Sequence, residues 1–253
     1  MDRNIRTVDD VLHLLDGLFA PEADRWTADA ASWWDTFYAD RTKPIPFFVA
    51  KPDENLADYL ARGLLTPGRA LDLGCGPGRN ALHLASVGFQ VDAVDLSPAA
   101  IGWAEDRARE AAPATRDRVR FHHGDAFDLT RADLSGPYDL IYDSGCFHHL
   151  PPHRRISYLA LLDRVLAPGG HLVLTCFAAG AMGSELPDAA FYQDSRLHGG
   201  LAYTPAALRR IFADLTELEL RRMRDQAPES PHFGEPFLWT ALFRRPPLGA
   251  VGA

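Results

Sequence analysis

Four aspartates in this sequence each close or interrupt a short apolar run: Asp72 in RALDLG, Asp95 at the end of FQVDAVD, Asp125 in the turn GDA, and Asp143 at the end of YDLIYD. A carboxylate at the end of a strand can pair with a cation or accept hydrogen bonds from hydroxyls and amines. Beyond the fourth run stands His148, in the string DSGCFHHLPP, the kind of side chain that can take up a proton near neutral pH. Cys146, His148 and His149 lie close together, but no carboxylate or second cysteine pair completes a ligand spacing, so no metal is expected. Cys75, Cys146 and Cys176 are too few and too scattered for a disulfide framework and read as reduced thiols, one of which can line a ligand crevice.

What positions the acids begins at Arg69. Ala70, Leu71 and Leu73 form the apolar run of a strand buried on both faces. Gly74, Gly76 and Gly78 follow, and from Asn80 the residues Ala81, Leu82 and Ala85 recur with helical period. Strand, glycine turn and helix open a nucleotide-binding βαβ unit, where the backbone approaches its ligand closely. A dinucleotide enzyme carries a third glycine where this chain has Arg79, and Asp72 is a poor neighbour for a diphosphate but a good one for an ammonium group. An NAD-dependent oxidoreductase is therefore a distant rival. A ligand with adenosine at one end and a cationic amino acid at the other fits better, and S-adenosylmethionine is such a molecule.

The string LDLGCGPGRN resembles the glycine motif of class I S-adenosylmethionine-dependent methyltransferases, and later motifs fall in register with it. Asp95 follows the first glycine by about 20 residues, the spacing at which an acid accepts ribose hydroxyls in adenosine-binding folds. The resemblance gives GDA, with Asp125 and Ala126, the role of the adenine contact, and LAPGG is a frequent turn of the same family. A tryptophan and tyrosine ahead of a proline-containing segment, here Trp34, Tyr38 and Pro44 to Pro46, are similar to the small-molecule thiopurine and tellurite-resistance branch, where such an element closes over the site. The implied fold is α/β, a Rossmann-like doubly wound seven-stranded sheet with six parallel strands and the last antiparallel, under an N-terminal helical cap.

On that reading the cofactor S-adenosylmethionine, or its product S-adenosylhomocysteine, meets Trp34, Tyr38, Asp72, Gly74, Cys75, Gly76, Arg79, Asn80, Asp95, Leu96, Asp125, Ala126 and Asp143. An antiparallel last strand returns the loop before it to the ligand face, which makes His232 and Phe233 pocket candidates beside Phe47 and His149. His148 is the candidate base for an acceptor hydroxyl; equally, it caps or packs beneath the following helix. The reaction expected is in-line methyl transfer to sulfur, oxygen or nitrogen of a small molecule, mainly by alignment. A non-methylating enzyme using the same pocket, and a non-catalytic binding protein, stay open.

The 253 residues suit a single domain, with residues 1–66 as the cap, 67–253 as the core and about 178–203 as a lid. Hydrophobic residues make up 47% and charged residues 24%, an ordinary globular balance. No apolar run approaches a membrane span, and the first residues lack the apolar core of a signal peptide, so the expected location is cytoplasmic. A net charge of −8 without a basic stripe argues for a small-molecule partner over nucleic acid.

Overall fold

The computed structural model describes residues 5–19, 30–129, 133–134 and 136–247. Among them, seven strands form one sheet in the order β3-β2-β1-β4-β5-β7-β6: β1 (Arg69–Leu73), β2 (Gln90–Asp95), β3 (Val119–His123), β4 (Tyr138–Ser144), β5 (Leu166–Phe177), β6 (Thr216–Arg222) and β7 (Leu238–Arg244). β1 to β5 pair in parallel, and β7 lies antiparallel between β5 and β6. This is the expected sheet of six strands one way and the last reversed. Strand order turns back on either side of β1 and β4, which opens a crevice beyond their carboxyl ends.

The alternation of strand side chains sorts the core into two layers. Leu71, Leu73, Ile141, Leu172 and Leu174 point to one face and pack with Tyr158, Leu161 and Leu162 of α7 (Arg155–Val165) and Leu208 of α9 (Pro205–Ile211). Ala70, Leu140, Tyr142, Val173 and Leu242 point to the other. That layer meets Leu56 and Tyr59 of α3 (Glu54–Ala61) and Ala81 and Leu84 of α4 (Arg79–Ser86). Each fully buried leucine removed from water contributes about 1.5–3 kcal/mol before the entropy of ordering is charged against it.

Two further helices precede α3. α1 (Val8–Asp16) begins with a reciprocal capping box between Thr7 and Asp10. α2 (Ala30–Ala39) lies against α5 (Pro98–Glu110), which opens with Ser97 as N-cap and Pro98 in its first turn. α6 (Pro113–Arg116) leads into β3. Residues 178–203 are more ordered than their lack of periodicity predicts. Ala178 pairs with Tyr203 and Ser184 with Leu201, while α8 (Asp188–Asp194) buries Phe191 in the core. No helix among the described residues is long and apolar enough to cross a membrane.

Candidate active site

A cavity of about 440 Å³ occupies the crevice at the carboxyl ends of the parallel strands. Its floor is the turn from β1 to α4. Gly74, Gly76 and Gly78 all take positive φ, at 64°, 50° and 74°. Space requires glycine as strictly as conformation does: a Cβ on Gly74 would meet Cys146 Cβ at 2.7 Å, and one on Gly76 would lie 3.0 Å from the Tyr38 hydroxyl. The main chain here is thus open to a ligand and closed to side chains.

Three carboxylates reach the cavity wall: Asp72, Asp95 and Asp125. Asp72 and Asp95 lie on the same face of the sheet because Asp72 aligns with Ala93, two residues before Asp95. Asp95 accepts hydrogen bonds from the Gly76 N–H at 2.8 Å and the Ser97 N–H at 2.9 Å, so one side chain ties the glycine turn to the start of α5. Burial pushes its carboxyl up to about 6, although those two N–H groups favour the charged form. Asp125 is also raised, chiefly by burial, and accepts from the Phe127 N–H at 2.8 Å. Asp72 is raised well above the ordinary carboxylate range by burial, against the pull of Arg79.

Arg79 brings no net positive charge, because it is itself buried and pairs with Asp53 at 2.5 Å. Asp53 is the centre of a knot. Its N–H donates to Asn80 Oδ1 at 3.0 Å, and its Oδ2 accepts from Asn80 Nδ2 at 3.1 Å and from the Tyr142 hydroxyl at 2.6 Å. Backbone bonds from Glu54 N to Phe233 O and from Phe233 N to Pro52 O draw in the loop before β7, and the Arg79 guanidinium lies 4.4 Å from the Phe233 ring centre. With Arg79 neutralised, the wall is negative on balance, which suits a cationic ligand and opposes a diphosphate.

The opposite side is aromatic. Trp34 stacks near Tyr38 with ring centres 6.0 Å apart and meets His149 edge-on at 5.0 Å, so α2 roofs the cavity. Phe47, Phe177, Phe233 and Phe237 complete that side. His148 is buried and stacks on Phe177 at 3.6 Å between ring centres, while its carbonyl accepts from the Leu201 N–H at 2.7 Å. The same histidine is therefore both a cavity-wall group and a packed one, held by β5 and by the 178–203 segment.

Among the residues singled out by sequence, Trp34, Tyr38, Phe47, Asp72, Gly74, Cys75, Gly76, Arg79, Asn80, Asp95, Leu96, Asp125, Ala126, His148, His149 and Phe233 lie on this wall. Asp143 and His232 do not. Asp143 aligns with Leu73 and Leu174 and so faces the α7 layer, where it accepts from the Cys146 and Phe147 N–H groups and from the Tyr158 hydroxyl at 3.0 Å. It shapes the 144–149 turn from behind, and burial pushes it up to about 7. His232 lies in the bend before Phe233, which itself bridges to Asp53, and is outside the wall, near His83. Sequence reasoning did not select Thr175, Phe177, Met182 or Phe237, which also line the cavity, as does Cys146, one of the three thiols offered as a crevice group. Phe177 had one usable signal, its place at the carboxyl end of the fifth strand.

Two wall atoms, Asp72 Oδ2 and Thr175 Oγ1, are buried with no hydrogen-bond partner among the described residues. Buried polar atoms are normally paired, so each is suited to a ligand group. An unpaired carboxylate oxygen for a cation, a second acid on the same face and a side-chain-free turn between them form a donor set that fits S-adenosylmethionine.

Comparison with known proteins agrees with this geometry. The family model described as a methyltransferase domain matches residues 70–170. An uncharacterized methyltransferase of Schizosaccharomyces pombe is 32% identical over 108 residues, 43% of this chain and 70% of that protein. The chain belongs to the class I S-adenosylmethionine-dependent methyltransferases. Within that family it is also similar to 27-O-demethylrifamycin SV methyltransferase of Amycolatopsis mediterranei, at 36% identity over 146 residues, 57% of this chain and 49% of the other. A protein solved in work on the conversion of a disulfide bond into a thioacetal group during echinomycin biosynthesis is 26% identical. Its match has a TM-score of 0.65 and covers 87% of this methyltransferase and 93% of that chain. The methyltransferase spans between 33% and 70% of the length of the curated relatives named first in that comparison.

Proposed function

We propose that this methyltransferase transfers the methyl group of S-adenosylmethionine to a sulfur, oxygen or nitrogen atom of a flat, largely apolar small molecule. The observation that carries the reading is a single cavity with acids along one side and aromatic rings along the other. When bound, S-adenosylmethionine supplies a methyl on a positively charged sulfur, and the carbon–sulfur bond breaks as the acceptor's lone pair takes the methyl, leaving S-adenosylhomocysteine.

Asp72 would hold the ammonium group, Asp95 the ribose hydroxyls, and Asp125 with the Ala126 N–H the adenine. Gly74 and Gly76 admit the ligand to the main chain. Trp34, Phe47, Phe177 and Phe237 would sandwich the acceptor and exclude water, so that alignment supplies most of the rate. His148 would take the proton of an acceptor hydroxyl; a thiol or ring nitrogen asks less of it. The relative named 27-O-demethylrifamycin SV methyltransferase supports a small-molecule acceptor. We extend the reading to one domain, with residues 1–66 as cap and 178–203 as lid, acting in the cytoplasm without nucleic acid.

The test is incubation with methyl-labelled S-adenosylmethionine and a panel of thiols, phenols and nitrogen heterocycles, with products identified by mass. Methylated product from one acceptor class supports the proposal and names the atom. Tight S-adenosylhomocysteine binding without product from any class would leave a binding protein instead.

A further inference from the structure

The roof helix α2 has polar attachments to the core through α5, and one of them sits beside the cofactor wall. Asp35, on the turn between Trp34 and Tyr38, places its Oδ1 against the first turn of α5, accepting the Ala99 N–H at 2.7 Å and the Ser97 hydroxyl at 3.2 Å. That hydroxyl is also the helix N-cap, taking the Ala100 N–H at 3.0 Å. The Ser97 N–H, in turn, donates to Asp95 Oδ1 at 2.9 Å, and Asp95 Oδ2 takes the Gly76 N–H at 2.8 Å. Ser97 is fully buried and thus holds a wall carboxylate with its backbone and the roof carboxylate with its side chain. Above the same turn, the Tyr38 hydroxyl stands 3.0 Å from where a Gly76 Cβ would be. The chain Gly76, Asp95, Ser97, Asp35 is continuous; Gly76 and Asp95 line the cavity at one end, and at the other Asp35 belongs to the helix whose Trp34 and Tyr38 line it.

We infer that Asp35 is a positioning residue that makes closure of the aromatic roof depend on occupancy of the wall around Asp95. This rests on the cofactor reading above. Asp35 faces the first turn of α5 and is not among the lining residues. Its carboxylate is poised at a helix N-terminus, where a negative charge is favoured and where a small rotation of the 95–99 turn is felt directly. Ligand hydroxyls on Asp95 would fix that turn, fix the N-cap, and so hold α2 with Trp34 and Tyr38 over the acceptor. By reciprocity a seated roof tightens the wall by the same factor. A second attachment, the exposed ion pair of Arg41 with Asp106 at 2.7 Å, does not touch the wall and serves as the internal control.

Peptide-resolved hydrogen exchange with and without S-adenosylhomocysteine reads the coupling without knowledge of the acceptor. In the unsubstituted protein the ligand is expected to slow exchange in 72–80, 95–100 and α2, the last by about 10-fold, within the usual range of coupling between sites. In Asp35→Ala the protection of 72–80 and 95–100 should persist while that of α2 is lost. Asp35→Asn, whose amide oxygen can still accept, should restore most of it, and Arg41→Ala should leave it unchanged. Equal α2 protection in Asp35→Ala, or equal loss in Arg41→Ala, would overturn the inference while leaving the cofactor reading intact. Global loss of protection in Asp35→Ala without ligand would reduce Asp35 to a structural cap and overturn it also. No ligand protection anywhere in the unsubstituted protein would overturn the cofactor reading, and the inference with it.

Discussion

Replacing Asp95 by asparagine should weaken S-adenosylhomocysteine binding and remove the part of its pH dependence that titrates at about 6. The carboxylate uses one oxygen for the Gly76 N–H and the other for the Ser97 N–H. An asparagine offers a single acceptor, so its NH₂ must face one of those buried donors. Leaving one buried N–H unpaired costs about 1–3 kcal/mol, and losing charge-assisted bonds to two ribose hydroxyls removes a comparable amount of binding. The pH limb follows from burial, which raises Asp95 from 3.8 to about 6. The folded protein then holds this proton more tightly than the unfolded chain. The group is neutral and costs nothing below the unfolded value, and ionising it removes about 3 kcal/mol of stability as pH rises from there to about 6. Hydroxyls that donate to the carboxylate require the ionised form, so affinity should fall about tenfold per pH unit below about 6. Calorimetric titration at about pH 7.5 and about pH 5, in parallel with thermal melts, measures both effects. Affinity in the unsubstituted protein that is flat over this range, or an asparagine variant that binds as tightly, would refute the placement of ribose on Asp95. Any limb that survives in the variant belongs to the other buried acids, Asp72 and Asp125 on the wall and Asp143, raised to about 7 behind the neighbouring turn.

Gly74→Ala combines a φ of 64° with a Cβ 2.7 Å from Cys146 Cβ; it should lose at least about 1 kcal/mol of stability and most cofactor affinity, read by melting and calorimetry. Asp53→Ala strands the buried Arg79 without its partner and should cost about 3–5 kcal/mol in chemical denaturation, with a smaller loss in a double variant that also carries Arg79→Met. His148→Ala should lower turnover about 10²- to 10⁴-fold on a phenol or alcohol and far less on a thiol, measured at saturating cofactor; equal, slight losses on both would make the histidine a packing residue.

Periodicity and turn chemistry made the sheet and the glycine floor readable, because each depends on residues near one another in the chain. The acids were harder. Asp72, Asp95 and Asp143 all stand near strand ends, yet strand phase decides which layer each enters: Asp143 shares its face with Leu73 and Leu174, and its carboxylate is taken up there by the Cys146 and Phe147 N–H groups and the Tyr158 hydroxyl. Phe233 lies on the wall and its neighbour His232 off it, in a loop where no strand pattern could sort them. Asp53 and Asp35 gave no motif at all, and Ser97 showed only as an N-cap ahead of Pro98. Their roles arise from partners such as Tyr142 and Ala99, supplied by pairings that no local pattern encodes. The 178–203 segment hid its order for a related reason, since its bridges to Phe177 and His148 run between distant residues.

The Asp53 knot has a consequence for how the molecule is made. It joins α3, the start of α4, the fourth strand and the loop before the seventh. Contacts across such separations form slowly, because a long loop must close before any of them contributes. During synthesis β1, β2 and β3 can pair while residue 233 is still within the ribosome, but the polar floor beneath the cofactor cannot close until the loop before β7 has emerged. The binding site is accordingly completed late, along with the insertion of β7 between β5 and β6, and a ligand that fits it stabilises chains that have brought this last loop into place.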